Sequence, residues 1–193
     1  MDHILQRVVG ASRISLLDGF SGFNQILVHP DDQDKIAFTT PWGTFKYVKM
    51  PSGLKNVGAT FQRAMDIAFA KEIHDFLVIY LDHLTAFSKS DQERLEHLRQ
   101  VFTICIKYGI SLNLKKSLFG LQEGKLLGHI ISKDGIRIDP NRIQSILQVP
   151  HPRNIKELQA FLGKINFLRR FIPNFAKLIR LLNNMLKKDS KVK

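Results

Sequence analysis

Asp82 stands in Tyr80-Leu81-Asp82-His83, between two apolar β-type runs, Phe76-Leu77-Val78-Ile79 and Leu84-Thr85-Ala86-Phe87. Such a segment reads as strand, tight turn, strand, with the Asp82 carboxylate at the tip. A second aspartate, Asp18, closes the short apolar run Ile14-Ser15-Leu16-Leu17. Carboxylates are hard oxygen donors, the kind that magnesium or manganese takes. His83 offers a softer imidazole nitrogen, suited to zinc, copper or nickel and a poor partner for magnesium. On its residues alone, Asp18 is first of all a strand-end or turn aspartate. His3, His29, His74, His97, His129 and His151 show no His-x-x-x-His or His-x-x-Cys spacing. The chain also lacks a phosphate-binding glycine loop and a nucleophile elbow.

Four blocks set these residues in a wider pattern. They are Leu17-Asp18-Gly19-Phe20-Ser21-Gly22-Phe23-Asn24-Gln25-Ile26, and Met50-Pro51-Ser52-Gly53-Leu54-Lys55-Asn56 with Ala59-Thr60-Phe61-Gln62-Arg63. The third is the turn at Asp82, and the fourth Leu126-Leu127-Gly128-His129-Ile130-Ile131 with Asp134-Gly135-Ile136. Phe161-Leu162-Gly163 and Arg169-Arg170-Phe171-Ile172-Pro173-Asn174-Phe175 extend it. In this order and spacing the chain resembles, over nearly its whole length, the reverse transcriptase of gypsy-type LTR retrotransposon polyproteins. The turn in that family reads Tyr-x-Asp-Asp, so His83 stands where a carboxylate belongs.

The resemblance implies a right-hand polymerase that adds dNTPs to a DNA primer on an RNA template. Asp18 and Asp82 would be its catalytic, metal-binding aspartates. Polymerases of this kind use two divalent cations about 4 Å apart to activate the primer hydroxyl and stabilise the leaving pyrophosphate. Magnesium is the expected ion, with manganese as a substitute. Replacing one carboxylate by His83 is expected to slow the chemistry by ~10²–10⁴. Phe23 would be the aromatic that excludes a 2′-hydroxyl; by residue type it reads equally as core. Ser52 stands where the family usually has Phe, in the loop with Gly53 near the incoming nucleotide. Gln62, Arg63 and Tyr80 would lie near template and primer.

Gly128 and His129 resemble the hairpin that grips the primer end, although a glycine in a β turn needs no such reason. Arg169 and Arg170, with Lys164 and Lys177, would give a thumb its phosphate contacts, or else form a solvated helix face. The other class of function is a non-catalytic nucleic-acid-binding remnant. The expected partners are template, primer, dNTP and other parts of a polyprotein, with no membrane.

The elements that must place these residues follow from punctuation and period. Ile14–Asp18 and Ile26–Val28 read as short strands, as do the stretches 35–40 and 44–50 around a Pro41-Trp42-Gly43 turn. A helix is predicted over about 59–73, with Phe61, Met65, Ala68 and Phe69 on one face. Ser90 or Asp91 caps another running to about Lys107, with Leu95, Leu98, Val101, Phe102 and Cys105 at helical spacing and Gly109 at its end. Extended pieces are expected at 110–114, 117–119 and 125–132, then a turn at Asp134-Gly135 and only helices beyond: Asp139 to Gln148, Asn154 to Phe171, and Pro173 toward Lys187. The fold class is therefore α+β. By the resemblance, residues 1–134 would be a palm with partial fingers (the fingers hairpin at about 26–52), and 135–193 a small helical thumb. Residues 187–193 read as a polar, frayed tail.

Bulk numbers agree with this. The 193 residues are 44% hydrophobic, enough for a core, and 29 Lys and Arg against 17 acids leave +12. That excess favours a polyanionic partner. A single cysteine, Cys105, sits in the apolar run Val101–Ile106 and allows no disulfide within the chain. It fits a reducing interior, cytoplasmic or nuclear. Seventeen residues precede Asp18, few for the upstream fingers, and nothing resembling RNase H or integrase follows. The chain is thus expected to be cut from a longer polyprotein.

Overall fold

The structure is a computed structural model that describes residues 2–186; the expected frayed tail at 187–193 lies outside them. It opens with a helix not foreseen from the sequence, α1 (Asp2–Val8), whose Leu5 and Val8 are fully buried. Next comes β1 (Arg13–Asp18), then α2 (Pro30–Gln33) and a hairpin of β2 (Phe38–Thr40) and β3 (Gly43–Phe45). Helix α3 spans Val57–Ala68. Strands β4 (Leu77–Tyr80) and β5 (His83–Ser88) flank the turn, and α4 spans Asp91–Tyr108. Strands β6 (Leu118–Leu121), β7 (Glu123–Leu126), β8 (His129–Ser132) and β9 (Gly135–Ile138) follow. The remainder is α5 (Pro140–Leu147), α6 (Ile155–Ile165), α7 (Phe175–Leu178) and α8 (Arg180–Asn184). No described helix is long and apolar enough to cross a membrane.

Four strands make the main sheet, in the order β4-β5-β1-β6, with β1 antiparallel to both neighbours. Its buried face meets α3 and α4. Phe61, Met65 and Phe69 pack with Leu17, Leu77, Leu84, Leu98, Val101 and Cys105 in one core. Each large side chain taken from water there contributes about 1.5–3 kcal/mol. Helix α4 is delimited as its sequence demands. Ser90 Oγ accepts from the Glu93 amide at 3.2 Å, and Gly109 ends the helix at φ 66°.

The chain divides into two compact units, residues 1–126 with 131–136, and residues 127–130 with 137–193. The division falls among β7, β8 and β9, which form a separate sheet in that order. Strand β9 corrects the expectation of helices only beyond 134. The Asp134-Gly135 turn returns the chain as a strand, with Gly135 at φ 137° supplying the bend. The stretch 125–132 is likewise two strands, because Leu127 and Gly128 both take positive φ, 52° and 78°, and fold it back.

Other boundaries are also corrected. Ile26–Val28 forms a single bridge, Leu27 to Lys49, rather than a strand. The stretch 35–40 is extended only from Phe38, and 44–50 only to Phe45. Leu112 makes one bridge to Gly19 in place of a strand at 110–114. Leu95 is 61% exposed, off the buried face of α4. The helix expected to reach Phe171 ends at Ile165 and continues as a 3₁₀ turn over Asn166–Leu168. The last expected helix is the two short ones, α7 and α8.

Candidate active site

Register builds the site. In the β1–β5 pair Asp18 faces His83, and in the β4–β5 pair Tyr80 faces His83, leaving Leu81-Asp82 as a two-residue turn. The ends of β1 and of the β4–β5 hairpin thus meet. The Gly19 amide donates to the Asp82 carbonyl at 2.8 Å. A Cβ on Gly22 would come within 3.1 Å of the Phe61 ring and 3.3 Å of Asp82 Cβ. The Gly-x-x-Gly segment after Asp18 therefore lets the turn approach closely.

Backbone bonds from far along the chain fix Asp18. Its amide donates to Ser117 Oγ at 3.1 Å, and its carbonyl accepts from the Asn113 amide at 2.7 Å. Ser117 Oγ in turn donates to the Asn113 carbonyl at 2.8 Å. The Asp18 side chain is 12% exposed, against 37% for Asp82 and 60% for His83. His83 Nδ1 lies 3.2 Å from Asp18 Oδ1, and His83 Nε2 lies 3.7 Å from Asp82 Oδ1. Lys116 Nζ reaches within 3.8 Å of Asp18 Oδ2. Ligand atoms of Asp18, Asp82 and His83 all fall within 4.8 Å of one another.

An open cavity of about 430 Å³ is lined by Asp18 and Asp82, together with Phe20, Phe23, Asn24, Ser52 and Lys116. Four residues singled out from the sequence, Asp18, Phe23, Ser52 and Asp82, therefore share one cavity. Phe23 is half-buried, edge-on to Phe61 at a centroid distance of 5.5 Å. Gly53 sits beside Ser52 at φ 99°, in open space. Tyr80 is half-buried at the end of β4, and Arg63 is exposed on α3.

Gln62 faces inward to the turn. Its Oε1 accepts from the Leu81 amide at 3.1 Å, and its Nε2 donates to Asp66 at 2.9 Å. Its amide thus holds the turn that carries Asp82. Gly128, His129, Arg169 and Arg170 belong to the second unit. There His129 is buried and stacks on Phe167 and Phe171, at 4.3 and 5.7 Å. Arg169 is exposed and Arg170 half-buried.

Sequence reading missed Asn113, Lys116 and Ser117. They lie almost a hundred residues from Asp18, so no local spacing announces them. The one available signal was the Lys115-Lys116 pair, a basic step beside a predicted strand.

The donor set can be tested against magnesium. Asp18 and Asp82 supply hard oxygens, but the third donor within reach is imidazole, and Lys116 leans on the other Asp18 oxygen. That set does not make the oxygen cage that two magnesium ions demand.

Known proteins share this arrangement of strands and helices. The profile of the reverse transcriptase (RNA-dependent DNA polymerase) family matches residues 2–131. The retrovirus-related Pol polyprotein from transposon 297 of Drosophila melanogaster is 36% identical over 192 residues, all but the whole of this chain and 18% of that polyprotein. The Tf2-3 transposon polyprotein of Schizosaccharomyces pombe is 33% identical over 98% of this chain and 14% of its own length. Among solved structures, a foamy viral protease-reverse transcriptase in complex with double-stranded DNA superposes with a TM-score of 0.86 at 29% identity, over 95% of this chain and 32% of that one. The foamy viral protein in complex with an RNA/DNA hybrid gives 0.81 at 28%, over 97% and 25%. The α+β architecture is that of these polymerases, and the chain belongs to the reverse transcriptase (RNA-dependent DNA polymerase) family.

Proposed function

We propose that the chain is a reverse transcriptase fragment of a gypsy-type retrotransposon whose polymerase chemistry is impaired at His83. One observation carries the reading. Asp18 at the end of β1 and Asp82 in the β4–β5 turn line one open cavity, and the His83 imidazole stands beside them as the third donor. Residues 1–134 serve as palm with partial fingers, and 135–193 as thumb. In the family's arrangement Asp18 and Asp82 would be the ligands for magnesium or manganese, and His83 leaves this chain's set one carboxylate short. Phe23 lies beside Asp18 on the cavity wall, where a ring would crowd a 2′-hydroxyl and favour dNTPs. Ser52 and Gly53 border the same space for the nucleotide. Arg63, exposed on α3, faces the template, with Gln62 and Tyr80 supporting the turn beneath it. The exposed Arg169 and its neighbour Arg170 meet backbone phosphates, and the Gly128-His129 hairpin borders the primer. RNA template and DNA primer are the partners, as the solved relatives' nucleic-acid complexes support. The chain acts as part of a longer polyprotein, since the matched relatives are several-fold longer.

Primer extension on an RNA template tests this, with magnesium and separately with manganese. His83→Asp should extend at least about a hundredfold faster than the chain as it stands, and Asp82→Asn should not extend at all. Equal rates for the chain and His83→Asp would sink the assignment of His83. A second reading, a nucleic-acid-binding remnant without chemistry, is favoured by the 3.2 Å approach of His83 to Asp18. It requires salt-sensitive binding to an RNA–DNA duplex with no extension even by His83→Asp.

A further inference from the structure

We infer that Asp18, Asp82 and His83 form a site for one transition-metal dication of the zinc, cobalt or nickel class, taken in preference to magnesium. The inference rests on reading this cavity as the family's metal site and departs from that reading in the ion. Spacing supports it first. A tetrahedral ion with donors at about 2.0–2.2 Å sets them roughly 3.4 Å apart. His83 Nδ1 and Asp18 Oδ1 already stand 3.2 Å apart, and the ligand atoms of all three residues lie within 4.8 Å.

Depth supports it next. Asp18 is the buried anchor, its main chain held by Ser117 and Asn113. Asp82 and His83 are progressively more exposed, Asp82 in the tight turn and His83 opening β5 directly after it. They can close on an ion from the solvent side while the cavity leaves a further position open to water. Three protein donors with an open position is an arrangement that zinc commonly takes.

Charge and softness then choose the ion. Two carboxylates neutralise one dication, and the neighbouring Lys116 ammonium opposes a second. An imidazole donor raises affinity along the first-row series and does little for magnesium. A single nitrogen-tolerant ion satisfies this set; two hard ions do not.

The test is a cobalt(II) titration of the whole chain in millimolar magnesium, followed by visible absorption and then displaced by zinc. One cobalt per chain should bind and resist magnesium. His83→Asp should weaken cobalt and zinc about tenfold or more while strengthening magnesium. Far-UV circular dichroism melts confirm that each variant is folded. Should His83→Asp fail to fold, imidazole ¹⁵N shifts in the unaltered chain answer the same question: zinc should move His83 before the other six histidines. Cobalt binding unchanged in His83→Asp, displacement by equimolar magnesium, or zinc shifts that spare His83 would each overturn the site. Extension by His83→Asp without a cobalt site in the parent would leave the polymerase reading standing and remove only this one. A cobalt site with no duplex binding and no extension would do the reverse.

Discussion

Leu81 has φ 54°, a left-handed conformation that costs a non-glycine residue about 1–3 kcal/mol. The turn keeps it because Gln62 accepts its amide proton and the ends of β4 and β5 are paired on either side. Gln62→Ala should therefore lower stability by about 1 kcal/mol, read as a lower urea midpoint with unchanged slope. Leu81→Gly in that background should recover part of the loss, and no recovery would place the strain elsewhere. Cys105 tests a different point. Burial raises its thiol from 9.0 to about 11, so the folded state holds this proton more tightly than the unfolded chain. The resulting stability is complete below pH 9 and is lost as pH rises toward 11. The drop in melting temperature across that window should be smaller in Cys105→Ala, and native-state alkylation at pH 8 should be slow. The turn position of Asp82 was legible in the sequence because apolar runs bracket it, while His83 drew notice only against the resembling family's Tyr-x-Asp-Asp. Gln62's grip on Leu81 was not, since a polar residue on a helix face carries no sign of its partner.

The close seating of the β4–β5 turn on the segment after β1 is a property of the elements. Gly22→Ala would press a methyl against the Phe61 ring at 3.1 Å and Asp82 Cβ at 3.3 Å, so the ring or the turn must give by a few tenths of an ångström. The expected loss is about 1–3 kcal/mol in denaturant unfolding, with weaker cobalt binding as the turn shifts. Retained affinity alongside lost stability would show that the turn moves as a rigid piece. Element identity was legible where the period was strong. The Phe61–Met65 face of α3 and the Leu98–Val101–Cys105 face of α4 are buried as their spacing demands. Boundaries failed where tertiary pairing decides. Ile26–Val28 has strand composition but only one bridging partner, and β9 exists because a neighbouring strand is there to receive it. Helix α1 was missed because seven residues are too few to display a period.

At the scale of the molecule, the net charge of +12 and the exposed apolar hairpin act in opposite senses. The charge favours solubility and polyanion binding. Duplex affinity should fall linearly on a log–log plot against salt, with a slope of about −0.9 for each phosphate engaged. A flat plot would remove the electrostatic account. The β2–β3 hairpin presents Trp42 at 86% exposure, with Phe38, Phe45 and Tyr47 grouped nearby. Exposed apolar side chains of this kind promote association. Trp42→Ser should reduce light scattering on concentration and leave the melting temperature within about 1 °C, because the ring is outside the core.

The clamp on Asp18 also sets an order of events. Asp18 and Ser117 are 99 positions apart, so the hydroxyl that fixes the aspartate is made long after it. Closing a loop of that length costs conformational entropy, which the pairing of β1 with β5 and β6 helps to offset. A nascent chain that stops short of Asn113 carries Asp18, Asp82 and His83 but lacks the Asn113 and Ser117 groups that hold the Asp18 main chain. On the metal-site reading inferred above, affinity for an ion is then expected to arrive with β6, the last-made strand of the main sheet, which would make metal binding a late reporter of folding.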